Sequence, residues 1–178
     1  SSLGLSRDPV VAAQDIVHGK PFAIDIGAFG ENRWFDYVAA FGLFTNVPYQ
    51  TPQVDKRIWG RMAYFFNGVQ ALGEVHPVHA RVSWDGKTVE ANIIDGLVCS
   101  TTSVGGFKAT RAVGEFGISM NDGLYEVVLI RDIKNLADFS AVAAKLLWMD
   151  FSDENYFITA QTSAIRFEFD DPVAWTLD

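Results

Sequence analysis

The sequence predicts an α+β domain that is mainly β: an antiparallel β-sandwich-like fold with about three helices packed on it. The first observation is that many short segments alternate apolar and polar residues, which is the period of a half-buried strand. The second is a strong hairpin signal, because both residues of an Asp-Gly pair tolerate a positive φ. Such pairs occur at Asp85-Gly86, Asp95-Gly96 and Asp122-Gly123. The third is a small number of segments with helix caps and a 3.6-residue apolar period.

The helices are predicted from their first residues. Asp8-Pro9 is a cap followed by proline at the first helical position, and this helix ends near Gly19. Thr51-Pro52 begins the longest helix in the same way, and Gly73 ends it. The apolar stripe of that helix, at spacings of three and four, consists of Ile58, Met62, Phe65, Val69 and Leu72. Asn135 caps a third helix that extends to about Leu146.

The strands are predicted from alternation and from the turns between them. The predicted strands are residues 22–26, 34–41, 78–84, 89–93, 97–100, 125–129 and 156–169, the last range holding one or two. Residues 107–120 have no regular pattern. Because most neighbouring segments are joined by short turns, we expect the sheet to be antiparallel.

Composition restricts the class of protein. The 178 residues fit a single domain, 1–178, because nearly half of them are hydrophobic and can form a sizeable core. No run approaches the roughly 18 apolar residues of a spanning helix, and no signal peptide is visible. The net charge of −8 argues against nucleic-acid binding and against adhesion to an anionic membrane by charge alone. The single cysteine, Cys99, permits no internal disulfide and fits a reducing compartment.

Several familiar functional motifs are disfavoured. His76 and His79 form a poor metal pair, because residues three apart on a strand point to opposite faces. Cys99 has no fixed histidine partner, so a structural thiol is the better interpretation. Gly27-Ala28-Phe29-Gly30 lacks the lysine and the strand–loop–helix setting of a phosphate-binding loop.

A succession of motifs nevertheless runs through the chain. Gly105-Gly106 precedes Asn121-Asp122-Gly123-Leu124 and an alternating strand. The other members, in order, are Ile24-Asp25-Ile26-Gly27, Trp34 to Gly42, Gly60 to Phe65 with Gly68, Asn155-Tyr156-Phe157 and Thr176-Leu177-Asp178. In this order, and over nearly the whole chain, they resemble the C-terminal, lipid-binding domain of the bacterial diacylglycerol kinase-like lipid kinases. Sphingosine and ceramide kinases are more distant relatives, and the two-lobe fold is related to that of NAD kinases.

The resemblance implies an activity and a site. Kinases of this family transfer the γ-phosphoryl group of ATP to a lipid hydroxyl, a reaction that depends on positioning and charge stabilisation. Asp122 matches the family's proposed catalytic aspartate, which would accept the hydroxyl proton. Asn121 and Gly123 would fix the turn beside the substrate, and Gly105 and Gly106 would let the backbone approach the headgroup. From spacing alone, Asp122 and the glycine pair fit plain turns as well.

The resemblance also implies cofactors and a second lobe. The family's nucleotide motif, Gly-Gly-Asp-Gly-Thr or close to it, belongs to an N-terminal lobe that these residues do not include. We therefore expect ATP and Mg²⁺ in the intact enzyme, neither on this chain alone, and no activity of this chain alone. A structural Mg²⁺ near the end of the long helix makes Glu74 the candidate metal ligand, although the acidic residue does not align cleanly. Ser100 stands where relatives often carry Asn.

The implied cellular setting follows from the same resemblance. A kinase of phospholipid biosynthesis would be cytoplasmic and peripheral to the membrane. Its partners would be the lipid substrate, the N-terminal lobe and, transiently, the membrane surface. Residues proposed to line an acyl-chain cavity, each of which fits ordinary core as well, are Phe41, Phe44, Phe65, Phe66 and Phe107.

Other functions stay open. A stand-alone β-sandwich module that binds an apolar ligand without catalysis also fits the missing nucleotide motif. An NAD kinase is disfavoured because no Thr-Pro-Thr-Gly-Ser-Thr-Ala-Tyr-like motif occurs. For a lipid kinase, the sequence does not choose between diacylglycerol, phosphatidylglycerol and sphingoid substrates.

Overall fold

The structure is a computed structural model that describes residues 5–6, 8–43, 76–100, 103–104, 107–108, 119–148 and 150–178. The predicted long helix at 51–73 lies outside these residues, and so do Glu74, Gly105 and Gly106. The same holds for Phe44, Phe65 and Phe66, and only the backbone of Phe107 is described.

Strands predominate in the described residues. The helices are α1 (Pro9–His18) and α2 (Leu136–Leu147). The strands are β1 (Gly27–Phe29), β2 (Arg33–Phe35), β3 (Val38–Gly42), β4 (Val78–Trp84), β5 (Lys87–Cys99), β6 (Ser103–Val104), β7 (Phe107–Lys108), β8 (Tyr125–Arg131), β9 (Phe157–Thr162), β10 (Arg166–Phe169) and β11 (Trp175–Leu177). All the strand pairs are antiparallel. The predicted mainly β, antiparallel α+β class is confirmed.

The long strand β5 organises the main sheet. Seven strands pair in the order β10-β4-β5-β3-β11, with β8 on β5 and β9 on β8. The first half of β5 pairs with β4, and its second half pairs with β3 and β8. The register with β8 shifts between Ile93 and Asp95. A bulge of this kind bends a strand, so one continuous strand can take part in two faces of a sandwich.

The core lies between those faces. Phe41 in β3 is fully buried, and its ring centroid lies 5.7 Å from that of Phe167 and 5.1 Å from that of Phe169, both in β10. The ring of Trp175 in β11 lies 4.7 Å from that of Phe41. Because β3 and β10 are not neighbours in the sheet, the edge-on contacts of Phe41 with Phe167 and Phe169 cross the core, whereas Trp175 is the cross-strand partner of Phe41 in β11. Phe41 is therefore a core residue in this structure.

The two helices differ in how they are packed. In α2 the cap is as predicted, since the Asn135 side chain accepts from the backbone N–H of Asp138 at 2.9 Å. The buried residues of α2 are Phe139, Val142, Ala143 and Leu146. In α1 the predicted Asp8 cap also forms, with 2.8 Å from the Val10 nitrogen to Asp8 Oδ1, yet no residue of α1 is buried. Neither described helix has the length and apolar character needed to cross a bilayer.

Two strand predictions near the start of the chain are wrong. Residues 22–26 form no strand, and β1 begins only at Gly27. Residues 34–41 are divided at Asp36-Tyr37, because Phe35 ends a small hairpin with β1 whereas Val38 begins β3 of the main sheet. The causes differ: Phe22 and Ile26 are exposed and meet no partner strand in the described part of the chain, whereas the pattern at 34–41 does not report that its two halves pair with different strands.

The Asp95-Gly96 pair is not a turn. It lies inside β5, which joins the predicted strands 89–93 and 97–100 into one, and Asp95 is fully buried. A Cβ at Gly96 would overlap the ring of Phe41. The glycine is therefore needed for close packing in the core, whereas the sequence signal suggested a positive φ. The hairpin predicted at Asp85-Gly86 and the strand predicted at 125–129 are both present, the latter as β8.

Candidate functional site

Asp122 occupies a turn immediately before β8. Its Oδ1 accepts a hydrogen bond of 3.1 Å from the Leu124 backbone nitrogen, so the side chain closes its own turn. Gly123 has a φ of +75°, the conformation that the Asp-Gly pair predicts. The Asp122 side chain is exposed, and no contact found in the described residues uses its Oδ2. One carboxylate oxygen thus shapes the turn and the other faces solvent.

Asn121 makes local contacts. Its Oδ1 accepts a hydrogen bond of 2.8 Å from Ser119 Oγ, and its own backbone nitrogen lies 3.4 Å from the same hydroxyl oxygen. These bonds connect residues two positions apart. They define the shape of the segment before Asp122 but do not fix where that segment sits on the sheet.

A residue that the sequence analysis did not select, Asp25, fixes that position. Its Oδ2 accepts a hydrogen bond of 2.8 Å from the Gly123 nitrogen, and its own nitrogen donates to the Met120 carbonyl at 2.8 Å. In the sequence, Asp25 is noted only as one residue of the Ile24-Asp25-Ile26-Gly27 motif. Its partners lie more than ninety positions away, and no local pattern reveals such a pairing.

The strand register brings further carboxylates to the same end of the sheet. One row of paired residues crosses it: Val38 opposite Cys99, Cys99 opposite Glu126, and Glu126 opposite Gln161. Asp36 and Asp178 lie at the ends of β3 and β11 that adjoin this row. We call the acidic residues gathered here the acidic edge: Asp25, Asp36, Asp122, Glu126 and Asp178.

Asp36 and Asp178 form a carboxyl pair. Asp178 Oδ1 accepts a hydrogen bond of 3.0 Å from the Val38 nitrogen, which places its carboxylate beside Asp36. A side-chain hydrogen bond with Asp178 raises the pKa of Asp36, and burial and the Asp178 charge raise it further. Ser100 supports this corner, since its buried hydroxyl donates to the Asp36 carbonyl at 2.9 Å.

Glu126 is the buried member of the acidic edge, at 2% exposed. Its Oε1 accepts a hydrogen bond of 3.2 Å from Gln161 Nε2, whereas its Oε2 has no partner in the described part of the chain. Burial raises the pKa of Glu126, and the nearby charge of Asp122 raises it further, against the lowering effect of Gln161. The pKa of the Tyr125 phenol is also raised, first by burial and then by the charge of Asp25.

The acidic edge has a negative field. Arginine and lysine pair with carboxylates elsewhere in the described residues, at Glu90, Asp150, Asp153 and Glu168, and none of those pairs includes a residue of the acidic edge. An exposed carboxylate in such a setting can accept a proton from a hydroxyl group. It would also repel an anionic ligand group unless a cation accompanies that group.

A metal site is not found in the described residues. No group of three or more His, Cys, Asp or Glu side chains in those ranges is arranged to hold an ion. His79 Nδ1 lies 3.1 Å from Asp170 Oδ2, and the buried Cys99 thiol donates to the Glu126 carbonyl at 3.7 Å. The candidate ligand Glu74 and the glycines of the substrate site, Gly105 and Gly106, lie outside the described ranges.

Comparison with known proteins gives one consistent result. No family model matches the chain. A diacylglycerol kinase of Bacillus subtilis (strain 168) is 28% identical over 178 residues, covering 99% of this chain and 57% of the relative. A diacylglycerol kinase of Staphylococcus aureus (strain JH9) is 28% identical over 141 residues, covering 79% of this chain and 43% of the relative. The chain thus spans about half the length of the curated relatives it matches.

Solved structures show the same fold. A crystal structure of a putative diacylglycerol kinase from Bacillus anthracis str. Sterne matches 99% of this chain and 56% of that chain, with a TM-score of 0.72 at 16% identity. A second structure from the same organism gives a TM-score of 0.68 at 16% identity and the same coverage. At this identity the likeness concerns the fold, and it agrees with the sequence similarity to the kinases.

Proposed function

With the resemblance to the diacylglycerol kinase-like family confirmed, we propose that this chain is the lipid-binding lobe of an ATP-dependent lipid kinase and carries its catalytic base. The reaction is phosphoryl transfer to the hydroxyl of a diacylglycerol-like lipid, and Asp122 accepts the hydroxyl proton. The observation that carries the proposal is an exposed carboxylate on a turn held at the acidic edge, in a chain similar along its whole length to a diacylglycerol kinase.

The chemistry required of this lobe is modest. The acceptor oxygen becomes a better nucleophile as its proton moves to a carboxylate within hydrogen-bond reach. Most of the remaining catalysis is positioning and charge stabilisation around the phosphoryl group. Asp122 is accessible to a substrate hydroxyl, and Asn121 and Gly123 flank it on the same turn. The proposal places the lipid headgroup there, with Gly105 and Gly106 close to it.

The surface of the first described residues supports a second lobe. Exposed large hydrophobic side chains are concentrated between residues 10 and 34: Val10, Val11, Ile16, Val17, Phe22, Ile26 and Trp34. Burial of such side chains is a major source of stability, so an apolar helix face left in solvent indicates a packing partner. We propose that this surface packs against the N-terminal lobe, since the relatives are considerably longer than this chain.

ATP and Mg²⁺ belong to that second lobe in the proposal. In the described residues, Gly27-Ala28-Phe29-Gly30 is β1 followed by the turn into β2, which is not the setting of a phosphate-binding loop. A separate, structural Mg²⁺ is proposed for this lobe from the family resemblance alone, with Glu74, which lies outside the described ranges, as its ligand. No step of the proposed chemistry in this lobe depends on a metal. The proposed location is cytoplasmic, with transient contact at the membrane that holds the lipid.

Replacement of Asp122 by Asn tests the proposal. In the intact protein, Asp122→Asn should lower the rate of phosphate transfer from ATP to diacylglycerol in mixed micelles by about 10²–10⁴-fold, the usual cost of losing a general base. Asparagine tolerates the same backbone angles and can accept from the Leu124 nitrogen, so the melting temperature should change little. Asp85→Asn is the matched control, because it changes the other Asp-Gly turn.

Two outcomes contradict the assignment. Near-normal turnover of Asp122→Asn makes Asp122 a turn residue only. If Asp178→Asn loses turnover while Asp122→Asn keeps it, the proton acceptor is the Asp36–Asp178 carboxyl pair. Asp95→Asn is not a suitable control despite the identical dipeptide, because Asp95 is fully buried inside β5.

A further inference from the structure

We propose that Asp25 is the positioning residue of the Asp122 turn: it holds the turn in place on the sheet so that the Asp122 carboxylate meets the substrate hydroxyl. The inference rests on the proposed role of Asp122 as proton acceptor. It adds a residue from a distant part of the chain that neither touches substrate nor takes part in proton transfer.

The two hydrogen bonds of Asp25 enclose Asp122. The Asp25 nitrogen binds the Met120 carbonyl, two residues before Asp122, and the Asp25 carboxylate binds the Gly123 nitrogen, one residue after it; both distances are 2.8 Å. The backbone that carries Asp122 is therefore fastened at both ends to one residue of another segment. Since the second bond involves a carboxylate, it is stronger than a bond between neutral groups.

Local bonds cannot replace this attachment. The Asp122–Leu124 and Ser119–Asn121 hydrogen bonds each join residues two apart, so they move with the turn if the turn moves. Asp85-Gly86, in contrast, is held by paired strands on both sides, with Trp84 opposite Lys87. The Asp122 turn has a paired strand only on its C-terminal side among the described residues, where β8 begins. Asp25 supplies the second attachment.

The residues around Asp25 define where it lies in the fold. Asp25 is half-buried, its charge contributes to the raised pKa of Tyr125, and Tyr125 packs its ring 5.5 Å from that of Phe35. Asp25 therefore lies between the β1–β2 hairpin and the start of β8. A displaced catalytic group can lose about 10²-fold in rate for a shift of roughly 1 Å, so an attachment at this point is expected to affect turnover.

The first test compares two variants of Asp25 in the intact protein. Asp25→Ala removes the acceptor of the Gly123 N–H and should lower kcat for diacylglycerol by about 10²-fold, with KM for the lipid nearly unchanged. Asp25→Asn keeps an acceptor oxygen and should recover most of that loss. Asp150→Ala is the matched control: Asp150 also accepts a backbone N–H, from Ser152 at 3.1 Å, but it lies beyond the opposite end of β9.

The second readout is independent of activity. Amide exchange of Gly123, followed by NMR in the same proteins, should accelerate about tenfold or more in Asp25→Ala, because the hydrogen bond that protects the amide is lost. It should stay slow in Asp25→Asn and in the Asp150→Ala control.

The outcomes separate the two proposals. Unchanged Gly123 exchange in Asp25→Ala overturns the positioning role, and so does an Asn variant as inactive as the Ala variant, because charge and not attachment would then matter. If Asp122→Asn is inactive while Asp25→Ala has normal kcat, only the positioning role fails. If Asp122→Asn has normal turnover, the proposed base fails, whatever the exchange rate of Gly123 shows.

Discussion

The turns at Asp85-Gly86 and Asp122-Gly123 contain the same two residues and serve different ends. At Asp85-Gly86 both φ angles are positive, 45° and 75°, and the strands on either side pair directly, which is the geometry of a two-residue hairpin. At Asp122-Gly123 only the glycine has a positive φ, and Asp25 holds the turn from a remote segment. The Asp-Gly dipeptide determines that the chain turns at each place. The surrounding residues determine how firmly each turn is held and which part of the protein it is attached to.

The side chains near the two turns differ as well. Asp85 Oδ1 accepts a hydrogen bond of 3.0 Å from Thr162, and the neutral hydroxyl groups of Ser83 and Thr88 meet across the hairpin at 3.0 Å. Near Asp122 lies the buried Glu126, whose pKa is raised by burial. A turn whose carboxylate bridges to a neighbouring strand is structural. A turn that presents a carboxylate to solvent near another carboxyl group has the features of a reactive site.

The largest effect on stability is expected from a substitution in the third Asp-Gly pair, Asp95-Gly96, which lies inside β5 and is not a turn. Gly96→Ala inside β5 would force a methyl group into the Phe41 ring, and overpacking of a filled core costs about 1–3 kcal/mol. Urea denaturation should show this as a lower free energy of unfolding. At Gly86→Ala nothing lies within 4 Å of an added Cβ, so a loss there comes from the positive φ of Gly86 and not from steric overlap. A free energy of unfolding for Gly96→Ala equal to wild type would mean that the Phe41 ring moves aside without cost.

The three pairs also show how far the sequence alone predicts this molecule. Alternation and capping predicted β4, β8, α1 and α2 because these depend on local periodicity and on neighbouring side chains. The Asp95-Gly96 prediction was wrong because turn preference cannot report that Phe41 packs against the glycine. Asp25 was not predicted as a site residue because its partners are distant in the chain. Such contacts follow from the tertiary fold and not from a local pattern.

The residues of the candidate site also fall into those that a sequence motif indicated and those that only the tertiary structure revealed. Asp122 was selected through a motif, and the structure places it on an exposed turn, while its catalytic role stays a prediction. Asp36 and Asp178 were not selected, although each is part of a quoted motif. Their pairing depends on the β3–β11 register, which the sequence does not specify. The burial of Glu126 likewise depends on how the sheet is covered.

A smaller difference in the free energy of unfolding should distinguish alanine substitutions at the Asp85-Gly86 and Asp122-Gly123 turns. An alanine forced to a positive φ costs about 1–2 kcal/mol, and Gly86→Ala should lose this amount because paired strands prevent the hairpin from relaxing. Gly123→Ala should lose less, since the Asp122 turn can shift and give up its bond to Asp25. Equal losses in urea denaturation would show that the two turns are held equally firmly.

The smallest effect concerns Glu126 and appears as a pH dependence. Because the pKa of Glu126 is raised above 4.5 in the folded state, the folded protein binds more protons than the unfolded chain just above that pH. The stability associated with this group is therefore fully present below pH 4.5 and is lost as the pH rises through the folded pKa. Glu126→Gln removes the titration and keeps an oxygen for the Gln161 donor, so its free energy of unfolding should lack this decline.

Thermal melts of both proteins from pH 4 upward measure the difference, with the exposed Glu154→Gln as the control that keeps the wild-type slope. Parallel pH profiles for wild type and Glu126→Gln would mean that Glu126 titrates alike in the folded and unfolded states, and that its carboxyl group is more hydrated than its burial indicates.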